Sequence, residues 1–102
     1  MDDIIIRGGV VYDGSGRAGE YADVAVTNGL IRAIAPGLAA RGAREIDAAG
    51  MAVAPGFIDI KTHSDFTLPI NPKAESKVRQ GVSTEIIGHC GFSVAPDRKS
   101  VV

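Results

Sequence analysis

Turn-forming residues break the first half of this chain every few positions: Gly8-Gly9, Asp13-Gly14-Ser15-Gly16, Asn28-Gly29, Pro36-Gly37, Ala48-Ala49-Gly50 and Pro55-Gly56. The stretches between them are short and β-branched or alternating, which leaves no room for a helix and predicts short antiparallel strands. Residues 4–6 and 10–12 read as two strands on either side of Gly8-Gly9. Across 21–35 the apolar residues alternate on both sides of Asn28-Gly29, the dipeptide best suited to a type I′ turn, so this segment is a hairpin. Pro36-Gly37 ends it, 38–44 is a connector, and 45–47 and 51–54 predict two more short strands.

After Gly56 the pattern changes. Residues 57–61 form a compact apolar run, Asn71-Pro72 looks like an N-cap followed by proline at the first helical position, and Gly81 sits where a helix would stop. A short helix over 73–80 follows, with Ala74 and Val78 on one face and Glu75 and Arg79 able to pair on the other. Residues 82–87 read as a strand. Strand, helix, strand is the order of a crossover between parallel strands, which puts both strand ends on one side of the sheet.

With 11 Lys plus Arg against 12 Asp plus Glu, the formal charge of -1 gives no reason to expect nucleic acid or an anionic membrane as partner. At 45% hydrophobic and 23% charged the composition is that of a folded soluble chain, and no run approaches the roughly 18 apolar residues of a membrane helix. The acidic start Met1-Asp2-Asp3 is unlike a secretory signal, and a single cysteine cannot build a disulfide framework, so the cytoplasm is the expected location. A length of 102 residues allows one modest core. It is far short of the about 250 residues of a closed (β/α)8 barrel.

His63, His89 and Cys90 are the side chains best suited to a borderline metal, and they fall just past the two strands of the crossover unit. Strand side chains alternate, so Asp59, Lys61 and His63 are expected to share one face, and if His63 points toward the mouth so do the other two. Cys90 leaves the second strand within Gly88-His89-Cys90-Gly91, so His63 and Cys90 are expected to approach each other. A catalytic zinc takes three protein ligands and keeps a position for water, so His63 and Cys90 supply part of a site, with His89 a further candidate. Two other readings use the same residues: buried or hydrogen-bonded structural side chains, or a Cys90 thiol nucleophile activated by His63 or His89. The glycine pairs lack the spacing and the following helix of a phosphate loop.

The segment Pro55-Gly56-Phe57-Ile58-Asp59-Ile60-Lys61-Thr62-His63-Ser64-Asp65 resembles the opening of the amidohydrolase superfamily, in which Pro-Gly-Phe-Ile-Asp precedes a His-x-His metal motif. Gln80-Gly81-Val82-Ser83-Thr84 and Gly88-His89-Cys90-Gly91 are similar to the corresponding stretches of the D-aminoacylases, the N-acyl-D-amino-acid deacylases. The resemblance covers about 3–96. It implies an α/β protein in which a small N-terminal β-sandwich-like domain, 1–54, precedes the first strand-helix-strand of an incomplete (β/α)8 metal-dependent hydrolase barrel, 55–102.

It also implies a zinc enzyme that cleaves the amide of N-acyl-D-amino acids, the zinc activating water and an aspartate late in the barrel handling the proton. His63 matches the second histidine of the motif, Cys90 the cysteine ligand, and Asp59 the preceding acid. No general-base aspartate is matched within the chain; it is expected beyond Val102, so this portion alone is expected to be inactive.

Lys61 departs from the pattern by standing where the first histidine belongs, and an ammonium cannot ligate a metal. An ion pair from Lys61 to Asp59 or Asp65 is the structural alternative for that lysine. Glu85, in a strand that is usually apolar in the family, needs a partner or solvent. A stand-alone, non-catalytic β-rich binding or assembly module is the alternative for the whole chain, and exposed sheet edges lead us to expect homo-oligomerisation.

Overall fold

A computed structural model describes residues 1–88, in two compact units, Met1–Pro55 and a second that starts at Gly56. The first unit is a sheet of five strands. Strand β1 (Asp2–Val11) pairs antiparallel with β2 (Glu20–Thr27), and β2 pairs antiparallel with β3 (Leu30–Ala35). The β2–β3 connection is the expected hairpin, with Asn28 at φ 51° and Gly29 at φ 74°, the two left-handed positions of a type I′ turn.

Strands β4 (Gly42–Asp47) and β5 (Ala52–Val53) depart from the antiparallel expectation, since both pair parallel with β1. The reason lies in residues 36–41, which return the chain across a sheet face so that β4 enters in the same direction as β1. That crossing is fixed by Arg7, whose guanidinium donates to the carbonyls of Leu38 and Ala40, both at 2.7 Å, and by the amide of Leu38, which donates to Asp23 at 3.0 Å. Ile5 and Ala25, cross-strand partners in β1 and β2, have no exposed surface.

The expected break at Gly8-Gly9 is instead a bulge within one continuous strand. Ile6 faces Val24 and Gly9 faces Ala22, so Arg7 and Gly8 together oppose Asp23 alone. A second bulge lies between β2 and β3: Ala25 faces Ala33 while Val26 faces Ile31, which makes Arg32 the extra residue. Gly9 has its own steric reason, because a Cβ there would clash with Val53 Cγ2 and lie 3.1 Å from Ala48 Cβ.

In the second unit β6 (Phe57–Asp59) and β7 (Val82–Glu85) pair parallel, as the crossover pattern predicts, with Ile58 facing Thr84 and Asp59 facing Glu85. Between them lie two single-turn helices, α1 (Ser64–Thr67) and α2 (Glu75–Val78). α1 has no counterpart in the sequence reading. α2 is shorter than expected because Asn71-Pro72 forms a separate turn, closed by the Ala74 amide on the Asn71 carbonyl at 3.1 Å. Ala74, at φ 46°, then redirects the chain, and the helix starts at Glu75. Gly81 takes the expected left-handed stop at φ 87°. Gly56 marks a close approach of the two strands, since a Cβ there would meet Ser83 Cβ at 2.6 Å.

Candidate metal centre at the ends of two parallel strands

Strand β6 ends at Asp59, so the alternation that would put Asp59, Lys61 and His63 on one face does not extend to His63. The chain bends at Ile60 and Lys61, and His63 becomes the N-cap residue of α1, exposed, with φ -108° and ψ 25°. Its carbonyl accepts the amide of Phe66 at 3.1 Å, which fixes the backbone while leaving the imidazole on the surface. Cys90 and His89 lie outside the described residues, as does any approach of Cys90 to His63.

On either side of His63, Thr62 and Ser64 are buried and hydrogen-bonded. The Ser64 hydroxyl donates to Glu85 Oε1 at 2.9 Å, the hydroxyls of Thr62 and Ser64 are 2.9 Å apart, and the Ser64 amide donates to Thr62 Oγ1 at 3.3 Å. Glu85, whose charge is out of place in an apolar strand, thus acquires partners, with the Lys77 ammonium 3.9 Å away as well. Lys77 also donates to Asp59 Oδ2 at 2.6 Å. Lys77, not Lys61, is therefore the lysine paired with Asp59; Lys61 contributes its backbone amide to Asp59 Oδ1 at 3.2 Å. Asp59 holds the Lys77 ammonium pKa above its ordinary value, with a smaller coulombic push from Glu85, so the lysine is cationic at neutral pH.

Asp65 is 3% exposed, and neither carboxylate oxygen has a hydrogen-bond partner among the described residues. Burying a carboxylate without a donor is costly, so this position calls for a cation or a donor from elsewhere. The donor chemistry beside it suits zinc at one position, the exposed imidazole of His63, and does not suit it at Lys61. Among the described residues no group of three His, Cys, Asp or Glu side chains could hold a metal ion. A groove of the first unit, by contrast, is lined by Asp13, Arg17, Glu20 and Tyr21, and its Asp13 and Arg17 pair with each other at 2.7 Å.

The sequence reading missed the partnerships of Lys77 and Ser64. The unexpected charge at Glu85 was the signal that could have found them.

No family model matches the chain. It is 45% identical over 94 residues to N-acyl-D-aspartate deacylase of Alcaligenes xylosoxydans xylosoxydans, a match that takes in 92% of this chain and 19% of that protein. The crystal structure of a D-aminoacylase superposes with a TM-score of 0.88 at 43% identity, covering 94% of this chain and 20% of that one. N-acyl-D-glutamate deacylase from Bordetella bronchiseptica, crystallised with zinc and a phosphonate mimic of the tetrahedral intermediate, also gives 0.88, at 40% identity over 93% of this chain and 20% of its own. The β-rich unit and the parallel strand pair therefore match the N-terminal part of the amidohydrolase fold. Within that superfamily, the chain belongs to the D-aminoacylase family. It spans about a fifth of the length of the relatives it matches.

Proposed function

We propose that this chain is the opening segment of a zinc-dependent amidohydrolase that removes the acyl group from N-acyl-D-amino acids in the cytoplasm, with His63 and Cys90 among the metal ligands. The observation that carries the reading is the joint agreement of backbone and sequence with D-aminoacylase over 94% of the chain. Zinc bound there would supply Lewis acidity and a lowered pKa for its water. His63 would offer a neutral imidazole from the N-cap of α1, and Cys90 a thiolate whose deprotonation the metal drives. Lys61 would hold no metal, which weakens the position that the first motif histidine fills in the family. The remaining ligands and the general-base aspartate would come from the part of such an enzyme that this chain does not span, so the 102 residues alone would not hydrolyse substrate.

The test is a chimera in which this chain replaces the matching fifth of a D-aminoacylase. It should contain zinc and hydrolyse N-acetyl-D-aspartate in preference to the L enantiomer. A chimera that folds, carries zinc and leaves the D substrate intact would overturn the proposal. Lys61 favours a second reading, a β-rich assembly module without catalysis, for which the chain would fold and bind no zinc.

A further inference from the structure

Arg7–Asp23, Arg7–Glu45 and Arg32–Asp2 tie strands of the first unit to one another, whereas the network of the second unit converges on the turn that carries His63. Asp59 and Glu85 are register partners at the ends of β6 and β7, so two carboxylates stand side by side. Each grips one end of the turn at 60–64. Asp59 Oδ1 accepts the amide of Lys61 at its start, and Glu85 Oε1 accepts the hydroxyl of Ser64 at its finish. Thr62, between them, is buried and lies against Ser64 at 2.9 Å. Two adjacent carboxylates repel, and this arrangement needs a cation to stay together. The Lys77 ammonium, from α2, supplies it at 2.6 Å from Asp59 and 3.9 Å from Glu85.

We infer that Lys77 is a positioning residue for His63: by bridging Asp59 and Glu85 it holds the two carboxylates that clamp the turn presenting the imidazole. This deepens the metal-ligand role proposed for His63 and rests on that reading for its functional meaning. The partners of the Lys77 ammonium are Asp59 and Glu85. Its effect passes through the backbone of Lys61 and the side chain of Ser64.

The experiment compares Lys77→Met, Lys77→Arg and Ser64→Ala in the full chain, with zinc alone as the probe. Two readouts are taken: the imidazole resonances of His63, assigned with a His63→Gln variant, and the zinc dissociation constant by calorimetry. Lys77→Met should displace or broaden the His63 resonances and weaken zinc binding about tenfold, the size expected when support of a ligand is lost. Lys77→Arg keeps the cation and should restore both to within about twofold. Ser64→Ala cuts one clamp without touching the lysine and should displace the same resonances even if Lys77→Met fails to fold. Unchanged His63 signals in Ser64→Ala, or in a folded Lys77→Met, would overturn the inference, as would Lys77→Arg behaving like Lys77→Met. If His63 responds as described but the chain binds no zinc, the positioning stands and the metal reading falls; if zinc binds equally to all variants, the reverse holds.

Discussion

Asp23 closes the bulge in the strand that faces it. Its carboxylate accepts the amide of Gly8 at 2.9 Å and the guanidinium of Arg7 at 3.0 Å, and it also receives the amide of Leu38 from the crossing connector. One side chain thus satisfies both residues that the bulge displaces and pins the connector at Leu38. Asp23→Ala would leave the part-buried amides of Gly8 and Leu38 without this acceptor and remove one of the two carboxylates that pair with Arg7. We expect a loss of roughly 2–4 kcal/mol, read as a lower denaturant midpoint in urea unfolding.

Acid should loosen the sheet. Hydrogen bonds from Arg32 and Thr27 hold Asp2 well below the ordinary carboxylate range, the Gly8 amide and Arg7 lower Asp23, and Arg7 lowers Glu45. A carboxylate with a depressed folded pKa binds fewer protons folded than unfolded, so its stabilisation is complete above an unfolded pKa of about 4 and is lost as pH falls below it. Urea midpoints should therefore fall steadily from pH 5 to pH 2. Arg32→Gln should flatten that slope, because Arg32 is the largest cause of the Asp2 shift.

Two glycines should fail for different reasons. Gly29→Ala strains only the backbone, since φ is 74° and nothing lies within 4 Å of the added methyl, and it should cost about 1 kcal/mol. Gly56→Ala would drive a methyl to 2.6 Å from Ser83 Cβ and should cost about 1–3 kcal/mol through displaced strands. Combining Gly56→Ala with Ser83→Gly should recover part of that loss in thermal unfolding, whereas Ser83→Gly should not rescue Gly29→Ala.

Lys61→His places a second imidazole two residues before His63, on an exposed bend. Zinc affinity of the chain should rise at least tenfold, measured by calorimetry with metal content checked by mass spectrometry. An unchanged affinity would show that the bend after Asp59 holds position 61 away from any shared metal.

Strand β3 is a sheet edge with Leu30 72% and Ile31 64% exposed. Such an edge pairs readily with other chains, so we expect concentration-dependent self-association in light scattering, relieved by Ile31→Lys.

Local chemistry made much of this legible beforehand. Asn28-Gly29 announces its turn because few dipeptides tolerate two left-handed positions, and Gly81 its helix stop for the same reason. The parallel entry of β4 was not legible, because direction depends on where residues 36–41 cross and that is set by the long-range partners of Arg7 and Asp23. At the site, composition singled out His63 but assumed that β6 extends to it. The strand stops at Asp59, where the side chain turns back to accept the Lys61 amide, and no periodicity in the sequence encodes that. Glu85 was visible as an anomaly; its partner Lys77 was not, since α2 had to be placed first.

Arg32, the extra residue of the second bulge, sends its guanidinium to Asp2 at 2.7 Å, just as Arg7 at the first bulge reaches Asp23. Each irregularity therefore carries a charge that finds its counter-ion in one alignment of the strands alone. Sliding the β2–β3 hairpin by one residue would flip the apolar pattern and break the Arg7–Asp23 and Arg32–Asp2 pairs together. Mispaired intermediates of this sheet should be short-lived, because electrostatic error-checking is written into the places where its ladder is imperfect.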